Sequence, residues 1–260
     1  MNEAQRRAWL ALGLGPRWER RECPPEDVGD SAQADVDPAA LAVDPTPAAV
    51  DRIPEELPHA APDQRRAAIA ACGWSELRET VAACQACGLW KSRSNTVFGV
   101  GDERADWFVL GEAPGAEEDR RGEPFVGRAG QLLDAMLAAV GKSRRSGVFI
   151  ANVLKCRPPG NRDPSPDEAA RCEPFLQRQI ELVSPRLILV VGRVAAQALL
   201  DTEASLTSLR GRVHAYHAAS RRIPVVVTYH PAYLLRKPED KAKAWVDLQL
   251  AMRSSVPDPA

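Results

Sequence analysis

The sequence predicts an α/β fold, and three observations predict it. Four short apolar runs, at 107–110, 148–151, 187–191 and 223–228, have strand length and little internal polarity, the pattern of strands covered on both faces. Stretches with apolar residues at helical spacing lie between them, and such alternation implies parallel pairing, helices on both faces of the sheet and right-handed crossovers. The segments richest in glycine, carboxylate, amide and imidazole directly follow the ends of these runs, where ligands bind in sheets of this kind.

In chain order, Trp107-Phe-Val-Leu110 reads as a buried strand that ends at the turn Gly111-Glu-Ala-Pro-Gly115, a punctuation the two glycines and the proline favour. Gly130–Val140 has helical apolar spacing. Val148-Phe-Ile-Ala151 is the second strand, and Asn152 follows it. A helix is expected from Asp167 to about Val183, with Ser165 and Pro166 at its start, residue types suited to an N-cap and a first turn. Leu187-Ile-Leu-Val-Val191 is the third strand and ends in Gly192, before a helix over Val194–Leu200. Ile223-Pro-Val-Val-Val-Thr228 is the fourth, followed by His230-Pro-Ala-Tyr-Leu-Leu235, and Lys241–Met252 closes the fold as a helix. The ends at Leu110, Ala151, Val191 and Thr228 therefore gather the unusual segments on one rim.

The 260 residues are 45% hydrophobic with a net charge of −1, which hides a division. Residues 24–63 hold ten acidic side chains, one arginine and eight prolines, a net charge of −9, and leave +6 on residues 64–260. So few large apolar groups cannot offset the ordering entropy, and residues 24–65 are expected to be a disordered linker. Ahead of it, residues 1–23 include Trp9, Leu10, Leu12 and Leu14, a short amphipathic helix that either docks on a partner or packs on the body. The body is expected over 66–255. No apolar run approaches the roughly 18 residues of a membrane helix, and the start has no signal-peptide core. The expected location is cytoplasmic, where clustered cysteines mean metal more often than disulfides.

Four cysteines carry that signal. Cys84 and Cys87 form a Cys-x-x-Cys, and Cys156 and Cys172 lie much later, the former inside Asn152-Val-Leu-Lys-Cys-Arg-Pro-Pro159. A structural zinc is the default for such a set, spacing alone does not exclude a [4Fe–4S] cluster, and unrelated buried cysteines are the remaining reading. Cys23 and Cys72 stand apart and are expected to be free thiols. On the rim, Gly111 lets backbone approach a ligand, and Glu112, which follows a buried strand, should point toward that rim, with Glu118 close behind. Phe125 either stacks on a base or plugs the core. Arg128, just before a helix start, suits a phosphate. Asn152 can donate to and accept from an amide-like base edge. His230 is either a structural hydrogen bonder or a catalyst. Arg157, Arg162, Arg236 and Lys237 add positive charge along the same rim.

Together these residues closely resemble the family 4, iron–sulfur branch of the uracil-DNA glycosylase superfamily. The resemblance runs from about Val81 to Met252 through Cys84-x-x-Cys87, Gly111–Gly115, Pro124-Phe-Val-Gly127, Asn152–Pro159, Cys172 and His230-Pro-Ala-Tyr-Leu234. It implies a three-layer αβα fold around a four-stranded parallel sheet and a [4Fe–4S] cluster on the four cysteines. The implied activity is base-excision repair, with hydrolysis of the N-glycosidic bond of deoxyuridine in single- or double-stranded DNA. The implied roles are Phe125 as stacking platform, Asn152 as reader of the uracil edge and His230 as support for charge near uracil O2. Glu112 and Glu118 share water placement and exclusion of a C5 methyl group, since Ala113 stands where the best-known branch has its water-activating aspartate. Leu234 or Leu235 is the expected wedge filling the gap left by the flipped base.

A monomer is expected, nucleoid-associated when acting on DNA, with a replication or repair protein as the partner if residues 1–23 dock. A related branch traps the abasic site through a histidine after the asparagine strand. Residues 157–166 hold no histidine, so turnover is expected over covalent trapping. A non-catalytic damage-binding module is the remaining alternative.

Overall fold

A computed structural model of the chain describes residues 62–218 and 221–255. The expected docking helix, and the acidic stretch as far as residue 61, lie outside the described residues. Helices α1 (Pro62–Ala71) and α2 (Trp74–Ala82) lead into the body, with α1 starting ahead of the boundary expected at 66.

The centre of the fold is a sheet of six strands. β1 (Val100–Gly101), β2 (Trp107–Gly111), β3 (Val148–Asn152), β4 (Leu187–Val191), β5 (Val213–Ala218) and β6 (Arg221–Thr228) take the order β1-β3-β2-β4-β6-β5. The four expected strands form its parallel core, β3-β2-β4-β6. The two additional strands pair antiparallel at its edges, β1 on β3 and β5 on β6, so four strands is corrected to six. Neither edge strand has the signature of a strand covered twice. β1 is two residues long beside Gly99, and β5, Val-His-Ala-Tyr-His-Ala, is half exposed.

Every residue of β2, β3 and β4 is buried, because successive side chains point to opposite faces and both faces are covered. Phe108, Leu110, Phe149, Ala151, Ile188 and Val190 pack with Leu77, Phe175 and Ala195 on one face. Trp107, Val109, Val148, Ile150, Leu187 and Leu189 pack with Leu133, Leu137 and Leu248 on the other. The first set brings α2, α5 (Pro166–Val183) and α6 (Arg193–Leu200) to one side. The second brings α4 (Arg128–Ala138) and α9 (Lys241–Ser254) to the other, which completes three layers. The short helices α3 (Ala116–Arg121), α7 (Leu206–Leu209) and α8 (Pro231–Arg236) fill the connections. The crossover after β2 therefore leaves toward one face and that after β4 toward the other. A crevice opens between their carboxyl ends. Among the described residues no helix is long and apolar enough to cross a membrane.

Candidate active site and cysteine cradle

Gly111 and Asn152 are register partners at the carboxyl ends of β2 and β3. The pairing runs on past both strands, as Val153 N–H donates to the Gly111 carbonyl at 2.9 Å and Leu154 N–H to that of Glu112 at 3.1 Å. A Cβ on Gly111 would collide with Asn152 Oδ1 and lie 2.6 Å from Phe125 Cζ, so only glycine lets these two side chains meet over the strand end. Asn152 is 2% exposed, and its Oδ1 is buried without a hydrogen-bond partner among the described residues. Buried polar atoms are nearly always paired, so this oxygen is an acceptor left open at the strand end.

Phe125 sits at φ 54°, a left-handed conformation uncommon outside glycine. Three contacts hold it there. Arg144 donates to the carbonyls of Pro124 and Phe125, both at 2.7 Å. The Phe125 carbonyl presses against Gly130, where a Cβ would overlap it. Glu118 Oε1 accepts the next N–H, that of Val126, at 3.0 Å. The ring is thereby turned toward His230, with centroids 5.7 Å apart and planes at 30°.

His230 caps α8 with its Nδ1, which accepts the Ala232 N–H at 3.1 Å. The ring proton is consequently on Nε2, the edge left free to donate. Burial brings the imidazole down to about 4, Arg236 acts in the same direction and Glu118 opposes them, so the ring is neutral at pH 7. Gly192, at φ 107°, admits it: a Cβ there would stand 3.2 Å from His230 Cβ. Glu112 lies half-buried on the neighbouring strand end. Burial first, then the negative Asp163, raise its carboxyl to about 7, against the pull of Arg193.

The remaining expected residues divide. Arg128 and Arg236 are exposed, and Arg157 is half-exposed and donates to Asn161 Oδ1 at 2.7 Å. Arg162 is committed elsewhere: its guanidinium grips Glu168 through two bonds of 2.8 and 2.6 Å. Glu168 in turn closes a capping box with Ser165 at the start of α5. Leu234 is corrected as a wedge candidate, because it is 1% exposed and packed in the core, while Leu235, one position on, remains partly exposed.

Below the rim, Cys84, Cys87, Cys156 and Cys172 line one open pocket together with Trp90. Three of the four sulfurs meet a donor. Arg93 reaches Cys156 Sγ at 3.1 Å, Arg65 reaches Cys84 Sγ at 3.8 Å and the Lys155 N–H reaches Cys172 Sγ at 3.3 Å. Burial pushes the Cys172 thiol up to about 12, and it raises Cys87 and Cys156 as well. Burial thus favours the neutral thiol at these three positions. Cys72 stays apart, its thiol on the Ala68 carbonyl, and Cys23 lies outside the described residues.

The sequence pattern of the Uracil DNA glycosylase superfamily matches residues 98–249. The chain belongs to that superfamily. Among its relatives, the type-4 uracil-DNA glycosylase of Archaeoglobus fulgidus is 45% identical over 163 residues, 61% of this chain and 81% of the relative. That of Thermotoga maritima is 45% identical over 159 residues, again 61% and 81%. That of Pyrobaculum aerophilum is 41% identical over 179 residues, 67% and 91%.

Within this superfamily member several working residues carry no mark in the sequence. Arg144, which holds the Phe125 loop, also pairs with Asp134 at 3.1 Å, and reads in the sequence as one of two arginines in a polar turn. Asp119 is buried and accepts the Ser94 N–H at 3.0 Å, anchoring the segment that carries Arg93 to α3. Lys155 reads as one more cation beside Cys156, yet it is 1% exposed. Its Nζ donates to the Asn152 carbonyl at 2.7 Å and to Gln179 Oε1 at 2.6 Å. Burial takes its pKa down to about 8, with Cys172 and Cys156 acting in the opposite direction.

Proposed function

We propose that the chain is a uracil-DNA glycosylase of the type-4 branch, hydrolysing the N-glycosidic bond of deoxyuridine in DNA to leave an abasic site. The observation that carries this is the unpaired Asn152 Oδ1, buried beside the Phe125 ring and the register partner Gly111. A uracil flipped out of the helix brings an N3–H donor for that oxygen, an O4 acceptor for the Asn152 amide nitrogen and a flat face for Phe125.

Cleavage sends the electrons of the C1′–N1 bond onto the base. His230, neutral and protonated at Nε2, donates to uracil O2 as that charge grows, and a donor so aimed contributes roughly 3–4 kcal/mol to the transition state. Water adds to C1′ and releases a proton. Glu112, with its carboxyl near 7, is the base that accepts it. Glu118, tied to the Val126 N–H, walls the pocket against a C5 methyl group. Arg128, Arg157 and Arg236 hold DNA phosphates and Leu235 fills the gap in the stack.

The cysteine cradle fits a [4Fe–4S] cluster: its donor set is four thiols around one cavity, and three of the sulfurs have a hydrogen-bond donor of the kind that stabilises thiolate. When bound, the cluster supplies four sulfur–iron links that join the segments carrying Cys84, Cys87, Cys156 and Cys172, with no part in bond breaking. The enzyme acts as a monomer, and residues 1–23 bring it to a replication or repair protein.

Excision from a uracil-containing oligonucleotide tests the proposal. Wild type is expected to leave abasic sites, with His230→Ala and Asn152→Ala each lowering the single-turnover rate by about 10²–10³. Uracil-dependent binding without product in the wild type would replace the enzyme by a damage-binding module. A DNA adduct stable to heat and detergent would replace hydrolysis by covalent trapping.

A further inference from the structure

Asn152 reads a base with an amide whose oxygen no protein group holds. Its aim must therefore come from the backbone that carries it. One side of that backbone is fixed by pairing with β2. The other is fixed by Lys155, whose Nζ donates to the Asn152 carbonyl.

Burying an ammonium is costly unless its charge is balanced. Both acceptors of Lys155 Nζ, the Asn152 carbonyl and Gln179 Oε1, are neutral. With a metal centre in the cradle, the sulfurs of Cys172 and of the next residue, Cys156, would be thiolates, opposite in charge to the Lys155 ammonium. Its own N–H already donates to Cys172 Sγ at 3.3 Å. The rest of the residue is equally committed. Its carbonyl accepts the Val97 N–H at 2.7 Å, and Gln179 is braced by donating to the Phe98 carbonyl at 2.8 Å. One side chain thus spans from the cysteine cradle to the strand end that carries the base reader.

We propose that Lys155 is a positioning residue that couples the cysteine cradle to base recognition, its charge balanced by the thiolates of Cys156 and Cys172 and its ammonium fixing the backbone of Asn152. The inference rests on the reading above, in which Asn152 meets the base and the cradle holds an iron–sulfur cluster. It gives the cluster a local task in the pocket and distinguishes two functions of one side chain. The positive charge retains the cluster, and the position of Nζ aims Asn152.

The test uses the full-length, cluster-loaded protein with Lys155→Met, Lys155→Arg, Asn152→Ala and the Lys155→Met/Asn152→Ala double variant. Three quantities are read: the rate at which a chelator bleaches the visible cluster absorption, single-turnover excision of uracil, and affinity for abasic-site DNA. Lys155→Met is expected to lose its cluster and its excision rate by about tenfold or more each, the scale of one charge-assisted hydrogen bond. Its affinity for abasic-site DNA should stay within about twofold of wild type. Lys155→Arg keeps the charge, so its cluster should persist as in wild type while excision still falls, because a guanidinium cannot place one nitrogen between both acceptors. In the Asn152→Ala background, adding Lys155→Met should change excision by less than about twofold, the non-additivity of residues acting through one another.

A further tenfold loss in that background would overturn the coupling, as would wild-type excision in both Lys155 variants. If Lys155→Met does not fold, the Lys155→Arg comparison decides between the same outcomes. A wild-type protein that removes no uracil, or has no visible cluster band, would instead overturn the reading beneath the inference.

Discussion

The strand-end pocket and the cysteine cradle lie on neighbouring segments of one chain yet are finished to different degrees. The pocket is left incomplete: Asn152 Oδ1 is buried without a partner, Phe125 is held at a left-handed φ, and Glu112 and His230 are moved from their ordinary pKa values in opposite senses. In the cradle three of the four sulfurs, those of Cys84, Cys156 and Cys172, already meet an N–H or guanidinium donor. A surface that binds a ligand transiently must keep groups unsatisfied until the ligand comes. A site for a permanent metal centre can have its surroundings fully built. Lys155 touches both regions, its Nζ on the Asn152 carbonyl and its N–H on Cys172 Sγ.

The sharpest way to break this comparison is to empty the cradle. Cys172→Ser is expected to abolish the cluster absorption and to lower the folded protein's Tm by many degrees, because a metal centre's binding energy is folding energy. Thermal melts of wild type and variant check it. Unchanged stability would make the cradle incidental.

The next effect is on pH dependence. Excision should rise as pH passes through about 7, where Glu112 loses its proton, and Glu112→Gln should remove that rise along with most of the rate. Stability moves the other way. A carboxyl whose folded pKa is raised binds more protons folded than unfolded, so its contribution falls as pH climbs from the ordinary carboxylate range to about 7. His230, depressed to about 4, is neutral when folded but protonated when unfolded below its ordinary value. It therefore adds stability as pH rises from about 4 to about 6.5. Rate and melting profiles of wild type and Glu112→Gln across pH 4–9 separate these contributions.

Two leucines sharpen the comparison at the DNA surface. Leu234→Ala should cost about 2–5 kcal/mol of stability, as a buried leucine does, whereas Leu235→Ala should leave the melt nearly unchanged and weaken excision from double-stranded more than from single-stranded DNA. Urea melts and paired substrates check this. Smallest is Arg162→Ala. Its guanidinium sits on the α5 capping box with about half its surface in water, so the loss of stability should be small, with little change in DNA affinity.

Much of this was legible in the sequence because it rests on local rules. The apolar runs at 107–110, 148–151 and 187–191 could only be strands covered twice, and the residues after them had to share a rim. Ser165 and Pro166 announced the start of α5. What stayed hidden depends on contacts between distant segments. β1 and β5 form because a neighbour offers an edge, with no apolar run of their own. Arg144 and Lys155 look like ordinary surface cations until the fold sets backbone carbonyls around them. Arg162 looks like a phosphate ligand until Glu168 is found to hold it. Leu234 and Leu235 are equivalent in sequence, and only the phase of α8 against the core tells them apart.

The central claim is that the unpaired Asn152 oxygen receives the base's N3–H, and the most direct measurement removes that hydrogen from the substrate. Single-turnover excision would be compared for uracil and 3-methyluracil in otherwise identical DNA, with wild type and Asn152→Ala. The account predicts that wild type discriminates against the methylated base by about 10² or more, since a donor is lost and an acceptor is left buried and unpaired, and that Asn152→Ala discriminates little. Equal removal of both bases by the wild type would contradict it.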